Sequence, residues 1–195
     1  MILLFVLLSL PLVAVLLIRY TIDAKTSHSH ERSIIVKQSC IFGFMLGGFL
    51  MVLSLFGNVI ALPVAWESVV DRVFAPLILG VVVLTFFISG YRTSRLTGRL
   101  RAASLAGLLT GVFVFMLFGL SFVIIDMVFF DMVRQQPEKL FSFAHSGYAD
   151  MRAYLFDSTV RGATVITPMG GALGVLFGSM GGLIGNRKLI QRQTT

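Results

Sequence analysis

Residues that could do chemistry are sparse in this sequence and lie far apart. The densest group is His28, His30 and Glu31. Two histidines separated by one residue can share a metal ion, but a site needs further ligands and supporting partners, which this neighbourhood does not offer. His145 is isolated from the group. We therefore expect no metal site, and we interpret the histidine group as solvated.

The sequence also lacks the motifs that indicate an enzyme. It contains no phosphate-binding glycine loop, no nucleophile elbow and no zinc-protease helix. Cys40 is its one cysteine, which excludes an intrachain disulfide and a thiolate metal cluster within one copy. We predict a non-catalytic protein with no cofactor and no identifiable small-molecule substrate. A catalytic site built from scattered residues such as Asp131, Asp150 and His145 stays an alternative, because such sites are defined by geometry.

The most regular pattern is a stripe of glycines near the C-terminus. The glycine stripe consists of Gly170, Gly174, Gly178 and Gly182. On a helix these positions share one face, and small residues at this spacing let two helix backbones approach closely in lipid. A facing surface within the chain could come from Gly43 and Gly47, or from Ala103, Gly107 and Gly111. We favour packing within one chain. Self-association is the alternative, and a stripe-lined pore of several copies is a third reading.

The elements that carry these residues are long and apolar. Of 195 residues, 56% are hydrophobic and 13% are charged, which is far from the composition of a soluble globule. A bilayer core of about 30 Å is crossed by roughly 20 helical residues. We predict transmembrane helices at about 2–18, 39–62, 73–91, 103–125 and 163–185. The expected fold is an all-α bundle of five transmembrane helices in a single membrane domain, residues 1–195.

The first of these stretches is the one that could be read differently. Residues 2–18 could be the apolar part of a secretory signal, but a signal has positive charge before that part and a small-residue cleavage site after it. Here Met1 leads directly into Ile2, and Arg19 follows the run. We therefore expect residues 2–18 to be kept as a helix.

The distribution of positive charge predicts the orientation. The net charge is +7, and eleven of the sixteen Lys and Arg residues lie within 19–37, 92–101 and 187–192. Basic residues concentrate in cytoplasmic loops, so we predict an external N-terminus, a cytoplasmic C-terminus and an external segment at 131–161. An arginine cluster at the cytoplasmic surface is expected to contact anionic lipid headgroups, and nucleic acid is not an expected partner. This arginine cluster consists of Arg92, Arg95, Arg99 and Arg101.

Two further expectations concern the external side. A span of roughly 20 residues that begins near Ala103 ends near Phe122, so we expect Asp126 at the outer headgroups and not in a buried ion or proton site. The segment 131–161 mixes charges with aromatic residues. It is predicted to form an extension of the fourth helix, a turn and an amphipathic piece on the outer surface, interrupted at Pro137 and Gly147.

The region from Arg95 to Gly185 combines four features. These are basic residues before an apolar helix, the glycines Gly107 and Gly111 near the start of that helix, a run from Asp131 to Pro137 that reads DMVRQQP, and the glycine stripe at the end. With these features it resembles a group of small uncharacterised bacterial polytopic membrane proteins over about half of the chain. The resemblance implies a bacterial cytoplasmic membrane and carries over no mechanism and no residue role.

These observations predict a non-catalytic scaffold or accessory subunit of a membrane. Its expected partners are the lipid bilayer and other transmembrane helices, either from copies of itself or from other subunits. A small oligomeric channel or permease is the alternative, and a membrane-bound enzyme is a third and weaker reading. The absence of an ionisable side chain from the predicted membrane cores argues against proton-coupled transport.

Overall fold

The computed structural model describes residues 29–59 and 75–193, which are all helices and short turns. The helices are α1 (Ser29–Val59), α2 (Ala75–Thr97), α3 (Leu100–Val128), α4 (Phe130–Val133), α5 (Pro137–Ala144) and α6 (Met151–Gln193). The described residues contain no strand, which confirms the all-α class for this part of the chain. The predicted span 2–18 and His28 lie outside the described residues.

Four of the described helices, α1, α2, α3 and α6, are long and apolar enough to cross a membrane, with mean hydropathies between 1.4 and 2.6. The protein therefore has the helices of a multi-pass membrane protein. The helices also run beyond the spans predicted from hydropathy: α1 begins at Ser29 and not near residue 39, and α6 begins at Met151 and not near residue 163. Hydropathy marks only the apolar stretch, whereas a helix continues through polar flanks while its i to i−4 hydrogen bonds are made.

The length of α6 changes the description of the external segment. With 43 residues, α6 is roughly 65 Å long at 1.5 Å per residue, about twice the thickness of a hydrocarbon core. Residues 151–161, which the sequence predicted to be a separate piece on the outer surface, are the first turns of α6. The segment before them forms α4 and α5; α5 begins at Pro137, and Gly147 has a φ of +74°.

Helix α3 is the centre of the bundle. In the apolar 18-residue stretch of each helix, half of α3 is buried, compared with 28% of α1, 22% of α2 and 33% of α6. Its buried positions are mostly small or β-branched residues, which let three neighbouring helices come close. Fully buried Phe86 of α2 packs with Leu46 and Leu50 of α1 and Val114 of α3, and so joins these three helices.

The two ends of the bundle differ in charge and in structure. At one end, which we name the basic end, α2 and α3 are joined by a turn in which Gly98 has a φ of +68° and its N–H donates to the Ser94 carbonyl at 2.7 Å. An ion pair of 2.8 Å between Arg99 and Glu31 brings the start of α1 to the same place. At the other end, α3 is followed by the short helices α4 and α5; we name it the cap end.

Candidate functional site: the glycine interface

The glycine stripe of α6 lies directly against α3. A Cβ atom built on Gly174 would lie 2.8 Å from the carbonyl carbon of Gly107, and one built on Gly178 would lie 2.9 Å from the Gly107 Cα. One turn further along, a Cβ on Gly111 would lie 2.7 Å from the carbonyl carbon of Gly170. The two helices therefore touch backbone to backbone, a distance at which no side chain fits between them.

A second row of glycines on α6 faces α2. A Cβ on Gly181 would lie 2.9 Å from the carbonyl carbon of Phe87, and one on Gly185 would lie 2.8 Å from the Tyr91 carbonyl oxygen. The two rows meet where Gly90 of α2 approaches α6, since a Cβ on Gly90 would lie 2.6 Å from the Gly178 Cα. Helix α6 is therefore in close backbone contact with both α2 and α3 at Gly178.

Gly43 and Gly47 of α1 lie elsewhere. A Cβ on Gly43 would lie 2.7 Å from the Phe113 Cβ, and one on Gly47 would lie 3.1 Å from the Val114 Cα and 2.8 Å from the Leu117 Cδ1. These glycines lie against α3, mostly against its side chains, and their nearest atoms do not belong to the stripe. Of the two facing surfaces considered from the sequence, the structure brings Ala103, Gly107 and Gly111 to the stripe.

Hydroxyl groups connect the helices beside the glycines. Buried Ser94 of α2 donates to the Gly182 carbonyl at 2.8 Å, and the hydroxyls of Ser89 and Thr110, also buried, are 3.0 Å apart. A hydrogen bond between helices in a water-poor interior restricts both rotation and sliding. Two further bonds of this kind join Ser39 to the Ala106 carbonyl at 3.1 Å and Ser104 to Ser179 at 2.7 Å.

Asp126 lies between helices at the cap end. Its side chain is 4% to 5% exposed, it accepts a hydrogen bond from the Thr159 hydroxyl of α6, and Lys139 Nζ of α5 is 3.9 Å from its Oδ1. A buried carboxylate needs such partners, because burial without them is costly. Counting residues along one helix predicts Asp126 at the level of the outer headgroups; within the protein, its carboxylate is contacted by two elements that follow it in the sequence, α5 and α6.

The arginine cluster lies at the basic end, and three of its members have partners there. Arg99 is paired with Glu31, Arg95 Nη1 donates to the Tyr91 hydroxyl at 3.3 Å, and the Arg92 guanidinium lies 5.9 Å from the centre of the Phe42 ring. Arg92, Arg99 and Arg101 are exposed. These contacts are made by the guanidinium groups themselves, and the cluster stays at the surface of the basic end, a position that suits contact with anionic headgroups.

A polar cluster holds the turn before α6 in place. Tyr148 donates to the Asp157 carboxylate, and Arg161 Nη2 is 2.6 Å from Asp157 Oδ2 and 3.3 Å from the Tyr148 hydroxyl. The hydrogen bond to Asp157 is the main reason that the pKa of Tyr148 is raised above its usual value. His145 makes only a local contact, with its Nδ1 2.9 Å from the Phe141 carbonyl.

Within residues 29–59 and 75–193, no group of three or more His, Cys, Asp or Glu residues is placed to hold a metal ion. Comparisons with protein-family models, with curated proteins and with solved structures find no match for this chain. The protein is therefore described by its own geometry, as an all-helical membrane-type bundle with a glycine interface at its centre.

Neither the close approach of Gly90 to α6 nor the burial of Asp126 between helices was predicted from the sequence. Gly90 carries a signal in the sequence, because Gly90 and Ser94 are small residues four apart on α2 and so lie on one helix face. Asp126 carries no comparable signal. Its partners, Thr159 and Lys139, are separated from it by turns whose course the sequence does not specify.

Proposed function

We propose that this protein is a non-catalytic scaffold or accessory subunit of a bacterial cytoplasmic membrane. In this proposal its N-terminus and the cap end are external, and the basic end is cytoplasmic. It holds partner subunits through surfaces at the cap end and along its apolar helix faces, while the glycine interface keeps its own helices in register.

The observation that carries the proposal is the use of the glycine stripe inside the chain. Gly174 and Gly178 are in backbone contact with α3, and Gly178 also meets α2. A pore lined by the stripe would need this surface to be open to a solute. The bundle around the stripe is closed by short contacts, as expected for a framework that presents its outer surface to partners.

The cap end supplies a surface that a partner could bind. Phe141 of α5 is 69% exposed, Leu140 is 47% exposed and Met132 of α4 is 43% exposed. Exposed aromatic and apolar side chains beside charged groups are characteristic of a binding surface or of an interfacial position. The arginine cluster at the opposite end supports the proposed orientation, since cationic loops stay in the cytoplasm.

Gentle extraction from the native membrane, followed by mass measurement and identification of accompanying chains, tests the proposal. We expect a second chain in a fixed ratio, lost on Phe141→Asp and kept on Ser142→Asp, because Phe141 and Ser142 are adjacent exposed positions but only Phe141 is apolar. A pure monomer or homo-oligomer that conducts ions in reconstituted vesicles, with flux abolished by Gly178→Leu, would contradict the scaffold proposal and favour the channel.

A further inference from the structure

An apolar groove lies between α1 and α2 in the half of the bundle near the cap end. It has a volume of about 740 Å³. Its lining includes Leu53 of α1, Leu79 and Val82 of α2 and Phe118 of α3, and two residues of α6, Leu173 and Phe177, complete it. Ser54 is the one polar residue in the lining. A groove of this composition accepts hydrocarbon and not water.

The groove lies where the bundle covers its helices least. Only 28% of the apolar 18-residue stretch of α1 and 22% of that of α2 is buried, whereas half of the corresponding stretch of α3 is buried. Leu79 in the groove wall is 58% exposed. Nearer the basic end α1 and α2 are in contact, with the Arg92 guanidinium over the Phe42 ring. Among the described residues, the two helices therefore leave room between them on the cap-end side.

The chain contains an apolar run that can reach this groove. Ile2–Ile18 is uncharged, and the residues 19–28 connect it to Ser29, where α1 begins at the basic end. Ten residues span up to about 35 Å, and consecutive elements are usually neighbours in space. An apolar run of this length needs an apolar environment, and α1, the next element along the chain, forms one wall of the groove.

The lengths agree as well. Leu79 lies thirteen residues from Arg92 at the basic end, and the same count back from Arg19 reaches Val6. Ile2–Ile18 and α2 both lead toward the basic end and so run parallel, and Arg19 and Arg92 are the first basic residues after their apolar runs. Parallel helices whose basic flanks lie at one membrane surface stay level residue by residue, at 1.5 Å each. We propose that Ile2–Ile18 of the same chain occupies the groove between α1 and α2, antiparallel to α1, with Val6 at the level of Leu79.

Disulfide cross-linking of the full chain in membranes tests this arrangement. In a Cys40→Ser background, Leu79→Cys is combined with single cysteines at each position from 3 to 10. We expect intrachain cross-links centred on Val6 that recur at three- to four-residue spacing, the period of a helix face. The matched control is Val52→Cys, since Val52 is 53% exposed but does not line the groove; it should cross-link at least ten times less.

Other occupants give different results, and each would overturn the proposal. Cross-links between two chains would assign the groove to a second copy. If Leu79→Cys forms a cross-link with Val64→Cys and none with positions 3 to 10, the groove is occupied by the stretch that connects α1 and α2.

A spin label separates the remaining case, in which bilayer lipid fills the groove. With Ile2–Ile18 in place, oxygen accessibility at Leu79→Cys should be several-fold lower than at Val52→Cys, although Leu79 is the more exposed of the two in the bundle of α1 to α6. Equal accessibility would overturn the proposal.

Discussion

Replacing Gly174 by alanine adds a single methyl group at the centre of the glycine interface. The new Cβ would overlap the Gly107 carbonyl oxygen, and it would lie 2.8 Å from the Gly107 carbonyl carbon and 3.3 Å from the Gly111 nitrogen. All three atoms belong to the backbone of α3, so no side chain can rotate away. Carbon atoms in contact normally lie about 3.5–4.0 Å apart, and α6 must therefore move by roughly 0.7–1.2 Å.

The size of the effect follows from this displacement. A gap of 0.5–1 Å loses about a quarter to a half of the dispersion energy of the atoms that face it, and overpacked cores typically lose about 1–3 kcal/mol. The ratio of folded to unfolded protein should fall roughly 5- to 150-fold. The matched control is Gly162→Ala on the same helix, where an added Cβ meets no atom within 4 Å. There the better helix propensity of alanine should leave stability unchanged or raise it by up to about 1 kcal/mol.

The measurement is unfolding in mixed micelles as sodium dodecyl sulfate is added, followed by circular dichroism at two protein concentrations. We expect Gly174→Ala to unfold earlier than the wild type at both concentrations by the same amount, because the contact lies within one chain. A loss of stability that shrinks at the higher concentration would indicate packing between copies. Equal stability of Gly174→Ala and Gly162→Ala would refute the steric reasoning.

Three further predictions concern the ends of the bundle. Gly98→Ala should destabilise the protein by about 1–2 kcal/mol in the same unfolding assay, because the φ of +68° at this turn disfavours a Cβ; an unchanged midpoint would contradict this. Asp126→Ala should lower the free energy of unfolding by about 1.5–3 kcal/mol, because it removes the acceptor of the Thr159 hydroxyl. Asp126→Asn keeps an acceptor and should restore part of the stability; equal losses in both variants would show that the hydrogen bond is not the cause. The hydrogen bond to Asp157 raises the pKa of Tyr148, so the contribution of this bond to folding stability is fully present below the usual tyrosine pKa of about 10 and is lost as pH rises through the higher folded-state value. In a pH titration, the difference in phenolate absorbance between wild type and Tyr148→Phe should therefore appear at a higher pH than the phenolate of a free tyrosine.

Most of the helical architecture can be predicted from the sequence. Uninterrupted apolar stretches can only be helices in lipid, because no water is available to satisfy the backbone. The positions of α2 and α3 follow directly, and the four-residue glycine spacing on α6 indicates a face for close packing before any partner is known. The ends of α1 and α6 could not be predicted in the same way, since their helical hydrogen bonds continue into polar residues.

The partner of each face was decided by the tertiary structure alone. Gly43 with Gly47 and Gly107 with Gly111 have the same spacing in the sequence, but the first pair lies against α3, mostly against its side chains, and the second meets the backbone of α6. Spacing along one helix specifies which residues share a face; it carries no information on what lies opposite. The same holds for Asp126, whose burial depends on Thr159 and Lys139, which the turns around α4 and α5 bring to it. Periodicity is a property of a single helix, whereas contact and burial are properties of several helices together, and this is why the sequence determined the elements and only the folded bundle determined the interfaces.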